Sequence, residues 1–372
     1  MKFLMNFWSN KRWKTIIFIT MMIFGLLFIS LIVISSFKMN PFFFFRSLFG
    51  NAFSDSNRVN SFINTFAYLL LASLATMTAF KYRIYNLGVI GQMLIGAIIS
   101  FIVSRLLTKI GVTNKVVVIL LMLISTVSGT LYSLIAGVFK TRFKINEMAT
   151  TLLLNLIAIN LYQNLNHWIE FNQGIINNNA SLIIQFNVQV VFSISIFIAL
   201  IIFVFVTVLL DQRVFGFRLE LTNINSQVAS YAHLNPKRNQ FIIMAISGAI
   251  AGLSGYFYFI GNNNKIITFN PQMLIELDNI IIPLWAFNSR IGIFFIALFM
   301  SFVRSQISYL QITNFDDQII NLLLTIFVIL AIIVSYLLIW KQEPKILERW
   351  RIQDNIKKIQ YRQKNQNPKE GK

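Results

Sequence analysis

The chain has 372 residues, of which 56% are hydrophobic and 12% are charged. That charged fraction is about half of the roughly 25% typical of soluble domains, so the composition excludes a soluble enzyme and predicts a polytopic membrane protein. The formal net charge is +19, but no motif that reads nucleic acid accompanies it, and we expect no nucleic-acid partner. The chain has no cysteine and only two histidines, so we expect no metal site and no cofactor.

Apolar blocks of about 20 residues, the length of a helix that crosses a bilayer, recur along the chain. Their continuous apolar character favours helices over barrel strands. The predicted spans are 15–37, 59–80, 87–107, 116–139, 146–162, 190–210, 241–260, 277–303 and 319–340. Pro283 and Asn288 to Arg290 interrupt the eighth block, which we expect to form two short helices that turn back at the cytoplasmic side. The predicted fold class is therefore an all-α membrane bundle of about ten transmembrane helices.

The distribution of positive charge predicts the orientation of the chain. Most of the 32 Lys and Arg residues fall in the segments that are cytoplasmic if the amino terminus is inside. The loop from 163 to 189 has no Lys or Arg, which fits an outward position. We therefore expect both termini in the cytoplasm of a multi-pass membrane protein. The predicted regions are a cytoplasmic segment 1–14, a membrane domain 15–340 with a cytoplasmic loop 211–240, and a basic cytoplasmic tail 341–372.

The first apolar block follows several basic residues but is too long for a signal-peptide core, and no small-residue cleavage pattern follows it. We interpret it as a retained first span.

Polar residues and glycines stand at the entrance of the third span. The segment Tyr85 to Ala97 reads YNLGVIGQMLIGA and places Asn86 and Gln92 among three glycines. Such glycines allow close approach or unwinding of the backbone beside a water-filled cavity. A tight contact between helices is the alternative interpretation.

A polar stripe also begins the fifth span, where Asn146 to Asn155 reads NEMATTLLLN. Asn146 suits the N-cap position, and Glu147 in the first turn suits a helix amino end. Glu147, Thr151 and Asn155 lie four residues apart and share one helical face. The stripe indicates a cavity or a partner helix; the alternative is capping by Glu147 and interhelical hydrogen bonds for the other two.

The segment Ser247 to Gly255, SGAIAGLSG, is rich in small residues. Gly248, Gly252 and Gly255 form a flat face that predicts close helix packing.

The chain carries no signature of its own energy source. The phosphate-binding pattern GxxxxGK[ST] is absent, so we do not expect ATP hydrolysis by that route. The acidic residues nearest the predicted spans are Glu147, Glu276 and Asp278, all at span ends, which disfavours proton coupling. A sodium site made of carbonyl and hydroxyl groups stays possible.

Taken in this order, the motifs resemble those of permease subunits of bacterial ABC importers in the branched-chain amino acid and ribose permease superfamily, and most closely the branch that imports nucleosides and simple sugars. The family reads FNIGxEGQxLxGA at Tyr85 to Ala97 and NEVxxTLMLN at Asn146 to Asn155. The most specific match aligns Gly216 to Arg238 without a gap with the family pattern GFxLRAVGxNPEAARYAGINxKR, and the family's SGAxAGLAG falls on Ser247 to Gly255.

The chain departs from the family pattern at several positions. The family's acid before the second glycine is Ile90, and its Pro-Glu pair in the loop is Ser226 and Gln227. Two loop glycines of the family are Asn223 and His233. These departures leave the fold interpretation intact and bear on substrate identity and on ATPase docking.

The resemblance implies a permease of the type II importer fold that passes a nucleoside or nucleobase across the membrane and has no ATPase motif of its own. The implied partners are an ABC ATPase, a second homologous permease, an extracytoplasmic substrate-binding lipoprotein and membrane lipid. The implied substrate-pathway residues are Asn86, Gln92, Glu147, Thr151 and Asn155. The implied ATPase-coupling residues are Gly216, Phe217, Asn225, Ala229, Tyr231 and Ala232.

Three alternatives stay open at this point. The permease could import a simple sugar such as ribose or galactose, or the chain could act alone as an ion-coupled carrier. It could also be a membrane scaffold with a basic tail, which would show no substrate-dependent transport.

Overall fold

The computed structural model describes residues 31, 35, 40, 42, 46–50, 53–110, 116–173, 188–212, 214–224, 229, 231, 233–259, 275–286 and 289–310. Within these ranges the regular structure is helical and contains no strand. After a short π-helix, Arg46–Gly50, the α-helices are α1 (Ser56–Lys81), α2 (Val89–Lys109), α3 (Val116–Phe143), α4 (Glu147–Gln173), α5 (Val188–Thr207), α6 (Val214–Ile224), α7 (Pro236–Phe259), α8 (Ile275–Trp285) and α9 (Arg290–Leu310). The predicted segments 1–14, 319–340 and 341–372 lie outside the described residues, as does nearly all of 15–37.

The helices confirm the prediction of an all-α membrane bundle. By length and apolar composition, α1, α3 and α7 can each cross a membrane. A fourth span results if Ser195–Leu210 and Val214–Thr222, which meet at an angle of 67°, count as one bent crossing. The total of ten crossings remains a prediction, since two predicted spans fall largely or wholly outside the described ranges.

Helix α1 forms the centre of the bundle. Asp55 caps its amino end, where its carboxylate accepts a hydrogen bond from the backbone N–H of Asn57 at 3.3 Å. Every side chain from Asn64 to Ala79 is buried. A helix that is buried on all sides needs apolar residues around its whole circumference, and α1 has them. It packs against α5, α7, α8 and α9.

Helix α7 packs against α3 and α2 through a seam of small residues. A Cβ atom at Gly252 would lie 2.2 Å from the Ser125 carbonyl oxygen of α3, and one at Gly255 would lie 2.1 Å from the Met93 carbonyl oxygen of α2. A Cβ at Gly248 would lie 2.3 Å from the Cβ of Ser133. The three glycines thus allow backbone-to-backbone contact, the geometry of small-residue packing between membrane helices.

Serine side chains join the helices across the same region. The Ser125 hydroxyl donates to the Gly252 carbonyl at 2.5 Å, and the Ser133 hydroxyl donates to the Met244 carbonyl at 2.7 Å. On the other side of α7, Ser254 donates to the Tyr68 carbonyl of α1 at 2.8 Å. Each hydroxyl donates to a backbone carbonyl of a neighbouring helix. This hydrogen bond offsets the cost of burying the hydroxyl in an apolar region.

The hairpin of α8 and α9 corrects one detail of the sequence prediction. The break between the two helices falls at 286–289, whereas Pro283 lies inside α8. Proline removes one backbone donor and its ring conflicts with the carbonyl four residues earlier, and α8 stops two residues later. Ser289 is the N-cap of α9, because its hydroxyl accepts a hydrogen bond from the Gly292 N–H at 3.0 Å.

Candidate functional site

Asn86 and Gln92, both predicted to line a substrate pathway, form a closed pair at the start of α2. The Asn86 amide donates to the Gln92 Oε1 at 3.1 Å, and the Gln92 amide donates back to the Asn86 Oδ1 at 3.0 Å. Asn86 also donates to the Ser247 hydroxyl at 2.8 Å, which in turn donates to the Ala75 carbonyl at 2.8 Å. In this conformation the two buried amides therefore tie α1, α2 and α7 together.

Thr151 connects α4 to the entrance of α2. Its hydroxyl donates to the Glu147 carbonyl at 2.7 Å and accepts from the Leu87 N–H at 3.3 Å. A Cβ at Gly88 would lie 2.8 Å from the Thr151 carbonyl oxygen, so glycine is required for this approach. The residues that the family pattern places at the two entrances thus lie in direct contact.

Asn155, one turn further along α4, offers an unused acceptor. Its side chain is 8% exposed, and its Oδ1 has no hydrogen-bond partner among the described residues. It faces Gly91 of α2, where a Cβ would lie 3.1 Å from that oxygen. A buried amide oxygen without a donor costs about 1–3 kcal/mol, so this atom is suited to accept a hydrogen bond from a ligand.

Glu147 lies at the amino-terminal end of the same face. Asn146 precedes it as the N-cap of α4, confirmed by the hydrogen bond from the Met148 N–H to the Asn146 Oδ1 at 3.0 Å. The Glu147 carboxylate pairs with the Lys140 ammonium of α3. The ion pair itself lines a small crevice together with Ile84, Gly137, Gln240 and Met244. Glu147, Thr151 and Asn155 are all buried and share one face of α4, as their spacing predicted.

The predicted coupling segment, Gly216 to Arg238, follows a sharp bend in the chain between α5 and α6. Helix α5 passes through a π-helix, Val208–Gln212, and α6 then turns away from it. A Cβ at Gly216 would lie 2.0 Å from the Leu210 carbonyl oxygen, so the backbone of α6 lies directly on that of the preceding turn. A side chain of any size at position 216 would force the two apart.

One face of α6 is buried, and exposed aromatic side chains lie at Phe217 of α6 and at Tyr231 beyond its end. Leu219 and Thr222 are buried, and the Asn239 side chain of α7 donates to the Thr222 hydroxyl at 3.4 Å. Phe217 is 61% exposed and Tyr231 is 87% exposed, whereas Ala229 is fully buried. Two exposed aromatic side chains on a segment predicted to be cytoplasmic suit contact with a protein partner. Asn225 and Ala232 lie outside the described residues.

A buried ion pair between α8 and α9 was not predicted. The Arg304 guanidinium donates to both carboxylate oxygens of Asp278, at 2.7 and 2.8 Å, and the Asp278 side chain is fully buried. The rings of Tyr68 and Tyr258, whose centroids are 4.7 Å apart, stack edge to face, and both interact electrostatically with the pair. A lone arginine at the edge of an apolar block was the available signal, but the predicted span ended at Val303.

Residues 58–338 match the family described as the branched-chain amino acid transport system / permease component. The chain is 25% identical over 312 residues to the nucleoside ABC transporter permease protein NupB of Lactococcus lactis, a match that covers 80% of this chain and 85% of that protein. It is also 25% identical to the guanosine ABC transporter permease protein NupP of Bacillus subtilis, over 67% of this chain and 73% of that protein.

A third relative, an uncharacterised protein of Mycoplasma genitalium, is 26% identical over 70% of this chain, which spans 54% of that longer protein. No solved structure gave a match. The family match covers most of the membrane domain, including the α2 and α4 entrances, the α6 segment and the α7 seam. The chain belongs to the permease-component family of the branched-chain amino acid transport systems.

Proposed function

We propose that this chain is a transmembrane subunit of an ABC importer for nucleosides or nucleobases, and that a partner subunit hydrolyses the ATP. The observation that carries the substrate class is the similarity, over most of the chain, to permeases named for nucleoside and guanosine transport. In this proposal the chain crosses the membrane ten times with both termini in the cytoplasm. Its partners are an ABC ATPase, a second permease, an extracytoplasmic substrate-binding lipoprotein and membrane lipid.

The geometry supports a division of labour within the chain. The contact between α2 and α4, where the unused Asn155 oxygen lies, would form part of the substrate pathway. Thr151, Asn86 and Gln92 would position the helices around it. Glu147 would hold the cytoplasmic end of this contact through Lys140. The exposed Phe217 and Tyr231 would contact the ATPase. Two ATPase states would then expose the pathway to one side of the membrane at a time.

Uptake of labelled uridine, adenosine and ribose into cells with and without this subunit tests the proposal. The matched control is a strain in which the ATPase carries a catalytically dead site. We expect nucleoside uptake to be lost in both cases and ribose uptake to be unchanged. Loss of ribose uptake alone would indicate a sugar importer. Uptake that needs this subunit but not the ATPase, and that collapses with the sodium gradient, would indicate an ion-coupled carrier.

A further inference from the structure

The carbonyl end of α5 is held by side chains from two other helices. The Arg290 guanidinium of α9 donates to the Thr207 carbonyl at 2.8 Å. At the end of α1, the Lys81 ammonium and the Tyr82 hydroxyl each donate to the Leu210 carbonyl at 3.4 Å. Leu210 is among the last four residues of this continuous helical stretch, whose carbonyls lack partners within the helix, and cationic donors are favoured near such an end. We name these three donors and two carbonyls the α5 clamp.

The clamp joins the moving part of the proposed transporter to its core. Helix α1 is the buried centre of the bundle, and α9 is tied to α8 by the ion pair of Asp278 and Arg304. Helix α5 by itself contacts α1, and the clamp adds a polar attachment at the point where α5 ends. A force applied at this point therefore reaches α1 through Lys81 and Tyr82, and the α8–α9 hairpin through Arg290.

The coupling segment lies against the same carbonyl. Gly216 of α6 lies against the backbone of Leu210 and leaves no gap at the bend. Glu220 of α6 also interacts electrostatically with Tyr82. Burial raises the pKa of the Tyr82 phenol to about 12, so its hydroxyl remains a donor at neutral pH. The Leu210 carbonyl thus contacts both the backbone of α6 and the end of α1.

The π-helix makes this junction mechanically distinct. A π-helical turn is rare and is frequently found at functional sites. Its hydrogen bonds join residues five apart, whereas those of an α-helix join residues four apart. Here it occupies Val208–Gln212 and contains Leu210, one of the two clamped carbonyls. The side-chain donors of the clamp therefore bind carbonyls at the bent end of this helical stretch.

We propose that the α5 clamp, and Arg290 above all, is the element that transmits displacement of α6 into the α1 core and the α8–α9 hairpin, so that ATP hydrolysis is converted into substrate movement. Arg290 is a positioning residue in this proposal and does not touch substrate. The inference rests on the proposed function, because it requires a partner ATPase that moves α6.

The test uses the full complex in proteoliposomes and measures uptake per ATP hydrolysed. The variants are Arg290→Gln, which removes the charged donor, and Arg290→Lys, which keeps a cation. Arg142→Gln, an exposed arginine at the end of α3, is the matched control. Tyr82→Phe removes one hydroxyl and keeps the buried ring, so it provides a milder second test if Arg290→Gln fails to assemble.

We expect Arg290→Gln to retain the ATPase on co-purification and to hydrolyse ATP, while uptake per ATP falls about tenfold, within the usual range of coupling between two sites. Arg290→Lys is expected to recover part of the loss, Tyr82→Phe to show a smaller one, and Arg142→Gln none. An unchanged ratio in both Arg290→Gln and Tyr82→Phe overturns the clamp, whether or not total uptake falls. A parent complex in which uptake does not depend on ATP overturns the proposed function instead.

Discussion

At the scale of single residues, Asn155 differs from the other buried amides that were predicted to line the substrate pathway. The amides of Asn86 and Gln92 satisfy each other, whereas the Asn155 Oδ1 is buried beside Gly91 with no donor among the described residues. Natural proteins leave few buried acceptors unused, and those that remain call for an explanation. A ligand that supplies a donor in one transport state is such an explanation.

We expect Asn155→Leu to lower substrate uptake about tenfold or more while the amount of protein in the membrane is unchanged. A site that hydrogen-bonds its substrate loses that bond when the side chain becomes apolar. Asn160→Leu is the matched control, because Asn160 lies on the exposed face of the same helix and its amide donates to the Leu156 carbonyl. Normal uptake kinetics in Asn155→Leu would assign Asn155 to helix packing.

At the scale of helices, the α7 seam predicts a contrast between two glycines. Gly252→Ala should destabilise the protein by about 1–3 kcal/mol, because the new Cβ meets the Ser125 backbone oxygen, which cannot move aside by a rotamer change. Gly137→Ala in α3 is the control, since the nearest atom to its Cβ would be a Phe241 ring carbon at 3.5 Å. There alanine should be neutral or stabilise the helix by about 0.5–1 kcal/mol.

Thermal unfolding of both purified variants, followed by size-exclusion chromatography after heating, measures this contrast. A melting temperature for Gly252→Ala equal to that of the unmodified protein would show that the helices separate easily at the seam.

The ion pair of Asp278 and Arg304 makes a second prediction at this scale. Asp278→Asn should destabilise the fold by about 3–5 kcal/mol, because it leaves a buried guanidinium without a counter-charge. The double variant Asp278→Leu with Arg304→Met should recover most of that loss, since it removes both charges. Folded yield and melting temperature of the three proteins measure the effect, and a double variant as unstable as Asp278→Asn would contradict it.

At the scale of the whole molecule, the exposed aromatic residues of the segment predicted to be cytoplasmic, Phe217 and Tyr231, predict a docking surface. We expect Tyr231→Asp to abolish co-purification of the ATPase and uptake, because a carboxylate would replace an apolar ring at the contact. Ser56→Asp, at the exposed amino end of α1, is the control; there a negative charge is favourable for the helix. Retention of the ATPase by Tyr231→Asp would place the contact elsewhere.

The sequence predicts the positions of the helices better than the contacts between them, because hydropathy depends on local composition. Blocks of apolar residues predict where helices lie, and the Asn146 cap and the shared face of Glu147, Thr151 and Asn155 are confirmed. Hydropathy does not report which helices touch. The closure of Asn86 on Gln92, the pairing of Asp278 with Arg304 and the contact of Gly216 with Leu210 depend on three-dimensional neighbours.

The position of the hairpin break shows the same limit. Pro283 is a strong local signal against a helix, yet packing against α1 keeps it inside α8, whose Asn279 lies 3.5 Å from the Thr76 hydroxyl. Tertiary packing thus keeps the chain helical around Pro283, although proline disfavours a helix there.

The α7 seam also limits which amino-acid substitutions this protein can accept during evolution. Every amino-acid replacement at Gly252 or Gly255 adds at least one carbon, and that first carbon already meets a neighbouring backbone oxygen. Because the obstacle is backbone, a change in a facing side chain cannot make room for it. The helices would have to shift together, so these positions should stay fixed in descendants of this sequence, while the exposed leucines of α4 can be exchanged for other apolar residues.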